Sequence, residues 1–137
     1  MQDSFLVRLP KGADLLDSIT AACRQHGIRK GSFTLIGALT HCVMGYYDQA
    51  ARTYETREFP GDWEIVSCSG NVSEKDNDIF VHGHIVAAGS DYQCFGGHLM
   101  PGCAIFAAEL YISPVPGTVP VRTFDEPTGL ALWSGQE

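Results

Sequence analysis

Residues 79–88 read Ile-Phe-Val-His-Gly-His-Ile-Val-Ala-Ala and carry the clearest strand pattern in the chain. This run is rich in β-branched and aromatic residues and predicts one long strand. Because side chains alternate along a strand, His82 and His84 share one face and lie about 6.5–7 Å apart. Gly83, between them, has no side chain on the opposite face, so another backbone can approach closely there.

Most of the sequence on either side of this run also predicts strands. They are expected at residues 4–9, 32–39, 42–48, 52–59, 63–72 and 103–112. A turn is predicted at Pro60-Gly61-Asp62, a polar hairpin tip at residues 74–78 and a glycine-rich loop at residues 89–102. Consecutive strands joined by short turns favour antiparallel pairing.

One helix stands out in the sequence before residue 31. Asp14 can cap it, Leu15, Ile19 and Cys23 keep helical spacing, and Gly27 suits a left-handed end. A second short helix is left open. One main helix packed on a large, mostly antiparallel sheet is an α+β fold.

Length and composition fit a single domain over residues 1–137. The chain is 45% hydrophobic and 18% charged, which excludes disorder for its bulk. Prolines at 114, 116, 120 and 127 predict an extended proline-rich tail over residues 113–137. No apolar run is long enough for a membrane helix, and the first residues do not resemble a secretory signal. Five scattered cysteines predict reduced thiols in a cytoplasmic protein.

The net charge opposes direct binding to nucleic acids. Sixteen acidic residues against nine basic ones give a charge of -7, which a phosphate backbone repels. The basic residues cluster only weakly, at Arg24, Arg29 and Lys30 and again at Arg52 and Arg57. We therefore expect no tight binding of this chain alone to duplex DNA, and no membrane association.

Three histidines form a candidate metal site. His98 follows two glycines in the predicted loop, which could fold back over the strand that carries His82 and His84. Three imidazoles with a fourth position left for water match an open zinc site. The alternative is an ordinary polar pair on a wet sheet face. The apolar residues around the pair favour the metal, because an unpaired buried imidazole is costly.

Two acids, Glu64 and Glu109, interrupt otherwise apolar strands and are the candidate catalytic residues. Each reads either as an outward-facing solvated residue or as a hydrogen-bond acceptor or general base beside the histidines. Cys94 is the one cysteine worth testing as a ligand or thiolate. His26 is expected to be exposed in the last turn of the helix, where its partial positive charge suits the dipole.

Several blocks occur together in an order that resembles one family. They are Ile36-Gly37-Ala38-Leu39, Tyr46-Tyr47-Asp48, residues 63–71, His82-Gly83-His84, Gly96-Gly97-His98-Leu99 and Ala108-Glu109. In this order they are similar to the PPC ("plants and prokaryotes conserved") domain. It occurs as stand-alone prokaryotic chains and behind AT-hooks in plant nuclear proteins.

The resemblance implies a homotrimer of compact α+β subunits with a metal, zinc, at His82, His84 and His98. The family carries a DNA-binding label, largely through its plant members, whereas this chain has no AT-hook. One functional hypothesis is therefore a trimeric zinc-binding regulatory or interaction module that is connected to nucleic acids through partners. Direct DNA binding by the trimer is a further hypothesis, which the negative charge of the subunits opposes. The alternative is a small metal-dependent enzyme in which a zinc-bound water reacts and Glu109 or Glu64 moves the proton.

Overall fold

Strands make up most of residues 2–135, the part of the chain that the computed structural model describes. The elements are β1 (Phe5–Leu9), α1 (Leu15–Gln25), β2 (Gly31–Asp48), β3 (Thr53–Lys75), β4 (Asp78–Ala88), β5 (Cys94–Leu99), β6 (Ala104–Pro114), β7 (Val121–Phe124) and β8 (Ala131–Trp133). The predicted α+β class is confirmed. Within the described residues α1 is the one helix, so the second short helix that the sequence left open does not form.

Asp14 begins the helix as predicted. Its carboxylate accepts a hydrogen bond from the backbone N–H of Asp17 at 3.0 Å and another from that of Gly102 at 2.6 Å. The second bond ties the start of α1 to the segment before β6. Gly27 follows the helix with a φ of +66°, a conformation that favours glycine. The buried face of α1 consists of Leu15, Ser18, Ile19, Ala22 and Cys23.

Two long strands, β2 and β3, replace the four shorter strands predicted between residues 32 and 72. They pair antiparallel along almost their whole length. The predicted turn at Pro60-Gly61-Asp62 is wrong. Gly61 has a φ of +86°, and Gly61 and Asp62 together lie opposite the single residue Thr40. The extra residue forms a β-bulge, which bends the strand without ending it.

A strand also runs through the glycine-rich segment, so the predicted loop is wrong over residues 94–99. β5 pairs antiparallel with β4 and, over its last two residues, with β2. The glycines allow this crowding: a Cβ on Gly97 would lie 2.9 Å from the carbonyl oxygen of Gly45. They serve a tightly packed strand, not a mobile loop.

The sheet closes into a barrel-like ring. Its strand order is β1-β6-β2-β5-β4-β3-β7-β8, and β2 also pairs with β3. The ring therefore runs β2–β5–β4–β3 and back to β2, with β6 and β1 continuing from the first half of β2. The inner face of the sheet and the helix share one core, which includes Phe33, Leu35, Ile85, Leu99, Leu110 and Ile112.

The proline-rich segment after Ser113 carries a small hairpin. β7 runs parallel to the end of β3, pairing Val121 with Glu74 and Arg122 with Lys75, and β8 returns antiparallel to β7. The proline spacing predicted an extended tail and gave no sign of this pairing. Residues 136 and 137, at the end of the predicted tail, lie outside the described residues.

No helix within residues 2–135 is long and apolar enough to cross a membrane. All five cysteines are free thiols, and all except Cys94 are buried. Burial raises the pKa of the Cys23 thiol to about 11 and that of the Cys68 thiol to about 12, so both are neutral packing groups.

The substitution Gly70→Ala should destabilise the protein strongly. Gly70 and Gly83 pair directly across β3 and β4, and a Cβ on Gly70 would overlap the backbone carbonyl of His82. Because backbone inside a sheet cannot move aside, we expect the free energy of unfolding in urea to fall by about 2–4 kcal/mol. Ser69→Ala, at the exposed neighbouring position, is the control and should change it by less than about 0.5 kcal/mol. Equal stability of the two variants would contradict this close approach.

Candidate metal centre

His82, His84 and His98 come together on the outer face of the ring. β4 buries every second residue from Ile79 to Ala87, so both of its histidines point outward. The antiparallel register places His98 of β5 directly opposite His84. Two neighbouring strands thus present three imidazoles on one face, and His98 is delivered by a strand and not by the predicted loop.

The three rings are close enough to share one ion. Their centroids lie 5.1 Å apart for His82 and His84, 5.0 Å for His82 and His98, and 5.6 Å for His84 and His98. One nitrogen of each ring lies within 4.8 Å of the others. A tetrahedral zinc ion with Zn–N bonds of about 2.1 Å needs nitrogens about 3.4 Å apart, which small side-chain rotations supply.

Burial disfavours protonation of two of these imidazoles, those of His82 and His98. Desolvation, followed by the positive charges of His98 and Arg122, lowers the pKa of His82 from 6.5 to about 4. Desolvation also lowers the pKa of His98, with smaller contributions from His84 and Arg122. A neutral imidazole is the form that binds metals, so the electrostatics of the site favour ligation.

Arg122 lies beside the histidines, although the sequence analysis did not single it out. Its side chain is 6% exposed. Nε donates to Ser73 Oγ at 2.8 Å, Nη2 to Asn71 Oδ1 at 2.9 Å and Nη1 to the carbonyl of Ala131 at 3.1 Å. Asn71 pairs with His82 across β3 and β4, so these bonds hold the guanidinium next to the imidazoles.

A cavity of about 260 Å³ joins this arginine to the histidines. The cavity is lined by His82 and His98, by the basic residues Arg52, Lys75 and Arg122, and by Tyr47, Tyr54, Phe80, Gly129, Leu130, Ala131 and Leu132. The Tyr54 ring stands against His98 with centroids 4.9 Å apart. Sequence reasoning missed Arg122 as a member of this site, because the β7–β8 hairpin that carries it is placed by a tertiary pairing.

The structure does not bring either candidate acid to the histidines. Glu64 is exposed and pairs with Ala88, which lies four residues, or about 13 Å, along β4 from His84. Glu109 is exposed on β6, where it pairs with Arg8 and Ile36, and β6 does not touch β4 or β5 in the sheet order. For both residues, the outward-facing alternative describes the position they occupy.

The remaining candidates also lie apart from the cluster. Cys94 is exposed at the start of β5, about 13 Å along the strand from His98. His26 is exposed at the C-terminal cap of α1, as predicted, and stacks on Phe5 with ring centroids 3.8 Å apart.

Comparison with known proteins identifies the family. The sequence matches the Plants and Prokaryotes Conserved (PCC) domain over residues 1–116. The chain belongs to the PCC domain family. This is the family that the order of sequence blocks resembles, under its other abbreviation.

Solved structures share the whole fold of this PCC chain. A metal-containing protein from Archaeoglobus fulgidus is 41% identical, with a TM-score of 0.92 and coverage of 97% of this chain and 94% of that one. A plant- and prokaryote-conserved protein from Pyrococcus horikoshii is 32% identical, with a TM-score of 0.93 and coverage of 98% and 93%. The chain also matches the bifunctional protein GlmU of a Synechococcus species at 29% identity over 127 residues, but spans 19% of that protein's length.

The residues of this PCC chain fit a metal ion by the chemistry of their donors. Imidazole nitrogens suit zinc, copper, iron and nickel, and three of them leave one tetrahedral position open. His84 is exposed, so that position can face solvent or the cavity.

The metal-free protein should lose stability on acidification because of His82. The unfolded chain takes up a proton at this residue below about pH 6.5, whereas the folded chain does so only near pH 4. Between these values acid therefore favours unfolding, and the free energy of unfolding should fall by about 1–2 kcal/mol from pH 7 to pH 5 on this account. The measurement is urea unfolding in the presence of a chelator at both pH values.

His82→Gln, which removes the titrating group, should show a smaller fall than the parent chain. For His26→Gln, at an exposed position, the free energy of unfolding should fall between pH 7 and pH 5 by as much as it does for the parent chain. The same fall in all three proteins would show that His82 does not carry the effect.

Proposed function

We propose that this PCC protein is a homotrimeric zinc-binding module, with His82, His84 and His98 as the protein ligands. The observation that carries the proposal is the placement of three imidazole nitrogens within 4.8 Å of one another on one sheet face. The similarity to a metal-containing protein at 41% identity supports it. When bound, zinc would act as a Lewis acid with one position free for water or an added ligand.

A binding module is favoured over the metal-dependent enzyme. A carboxylate can act as general base on zinc only if it lies within hydrogen-bond reach of the attacking water, directly or through one further water. The two acids that the sequence offered for this role, Glu64 and Glu109, are exposed elsewhere on the sheet. Within residues 2–135, no carboxylate is part of the histidine cluster or of the lining of the cavity beside it.

The exposed outer face of the sheet supports assembly into a trimer. Six large hydrophobic residues are exposed on this face and form the outer apolar patch: Leu6, Ile36, Val66, Val86, Phe106 and Tyr111. Leu6 pairs with Tyr111, and Val66 sits in a β-bulge opposite Ile36. Apolar residues grouped in this way usually mark an interface. A closed ring of three copies would bury the patch against a second surface of the next subunit.

The proposed partners are copies of this chain and other proteins, not DNA. A trimer would carry about three times the charge of -7, which repels phosphate. Three of the nine basic residues line the cavity beside the histidines, which is too narrow for a duplex. A cytoplasmic location is proposed from the five free thiols.

His98→Gln should remove tight zinc binding. The substitution takes away one of three ligands, and we expect the affinity to fall at least about 100-fold. Competition with a chromogenic chelator measures the change, and elemental analysis after dialysis gives the zinc content. The control is His26→Gln, because His26 caps the end of α1 and is not part of the cluster. This variant should bind zinc with the affinity of the parent chain. Unchanged zinc binding by His98→Gln would contradict the three-histidine site.

Ile36→Lys should weaken the trimer. Ile36 is 58% exposed within the outer apolar patch. A charge at this position should therefore change the stability of the isolated subunit little but should weaken the interface between subunits strongly. At micromolar concentration, light scattering should give the mass of a trimer for the parent chain and a mass closer to that of a monomer for Ile36→Lys. Tyr92→Lys, at a position 89% exposed outside the patch, should leave the trimer intact. A parent chain that is a stable monomer would overturn this part of the proposal.

A further inference from the structure

The cavity beside the histidines concentrates positive charge in an acidic protein. Arg52, Lys75 and Arg122 line it, and within residues 2–135 no aspartate or glutamate does. The ion pairs found among these residues involve Arg24, Arg29 and His41 instead. Three of nine basic residues thus face one cavity, while the sixteen acidic residues of the chain give it a net charge of -7.

Neutral groups hold the buried guanidinium in place. Arg122 donates to a hydroxyl, an amide oxygen and a backbone carbonyl, and it lies over the rings of Phe80 at 5.0 Å and Trp133 at 4.6 Å. These contacts use three of its five N–H donors. Among residues 2–135, its hydrogen-bond partners are all neutral and it forms no ion pair. A buried cation with neutral partners favours a counter-ion nearby.

Within residues 2–135, neither of the other two cations forms an ion pair with a carboxylate. Arg52 donates to the backbone carbonyls of Glu126 at 2.8 Å and Pro127 at 3.2 Å. The ammonium of Lys75 lies 5.4 Å above the centre of the Phe80 ring. Both side chains are thus held at the cavity by neutral groups, in the way Arg122 is.

We propose that this cavity binds a small organic anion, with an oxyanion headgroup and a compact apolar body. The headgroup, a carboxylate or a phosphate, would lie among Arg52, Lys75 and Arg122. The apolar body would pack on the walls formed by Tyr54, Phe80 and Leu132. The volume of about 260 Å³ lies below the usual ~300–1,000 Å³ of ligand pockets, so the ligand is compact.

This proposal rests on the proposed function, because the highest anion affinity is expected when the three histidines hold a metal ion. A divalent ion held by His82 and His98, which also line the cavity, would add two positive charges beside the three cations. The anion would then also reach the open metal position. The basic residues remain in the metal-free protein, so anion binding there should be weaker but measurable.

The experiment titrates the full chain with benzoate, phenyl phosphate and benzyl alcohol, both metal-free and loaded with cobalt. Calorimetry reports binding in both forms, and the visible spectrum of the cobalt form reports a change in its coordination. We expect both anions to bind and the uncharged alcohol, which has the same ring, not to bind. The stronger of the two anions identifies the headgroup as carboxylate or phosphate.

Matched variants test whether the cavity is responsible. Lys75→Gln and Arg52→Gln should each weaken anion binding about three- to ten-fold. Lys11→Gln is the control, because Lys11 lies 5.0 Å above the ring of Phe106 in the same arrangement, away from this cavity. Arg122→Gln should weaken binding at least as much, and Arg122→Lys, which keeps the charge, should recover part of it. Thermal unfolding checks that the arginine variants fold.

The outcomes separate this proposal from the proposed function. Cobalt binding by the histidines with no anion binding in either form would overturn the anion site and leave the metal site standing. Anion binding that is equal in the parent chain, Lys75→Gln and Arg52→Gln would also overturn it, because neither cation would then contribute to the binding. Should cobalt not bind, the metal site fails, and the metal-free titration decides: weaker binding in Lys75→Gln supports the anion cavity, and no binding overturns it.

Discussion

The antiparallel register of β4 between β3 and β5 is the constraint on which the site depends. It sets His84 opposite Ser69 on one side and opposite His98 on the other. Because side chains alternate along a strand, a slip of one residue would turn His82 and His84 into the core and Ile85 out to solvent. The apolar residues of β4 prevent this slip, since they are buried on the inner face. Core packing and the geometry of the histidine cluster are thus fixed by the same pairing.

Glycines make the close packing around that register feasible. Gly70 and Gly83 face each other across β3 and β4, and the ring of Phe33 fills the space beside Gly83, 2.9 Å from where a Cβ would stand. Gly97 allows β5 to lie against β2 in the same way. With these residues, four strands close into a ring that carries the histidines on its outer face. As a consequence, positions 70, 83 and 97 have no room for a side chain.

Charge is distributed unevenly over the molecule. The chain is acidic as a whole, yet the wall that faces the histidines is basic and is completed by Arg122 from the last hairpin. The half-buried imidazoles of His82 and His98, whose pKa values are lowered, lie beside the buried Arg122 guanidinium, and this combination would favour ligands that bring electron pairs or negative charge. The outer apolar patch occupies the neighbouring strands of the same face, so assembly and ligand binding would involve adjoining surfaces.

Local periodicity and residue type were enough to predict the α+β class, the helix from its Asp14 cap to Gly27 and the three candidate histidines. Prediction from the sequence failed where one local pattern is compatible with two different structures. Gly61 reads as a turn but forms a bulge, because β2 continues to pair beyond it, and the glycines near residue 97 read as a loop but fit a crowded strand. The folded chain was needed to show that Glu64 and Glu109 lie away from the histidines and that Arg122 lies beside them. Those placements depend on pairings between strands distant in sequence, whose register no local pattern contains.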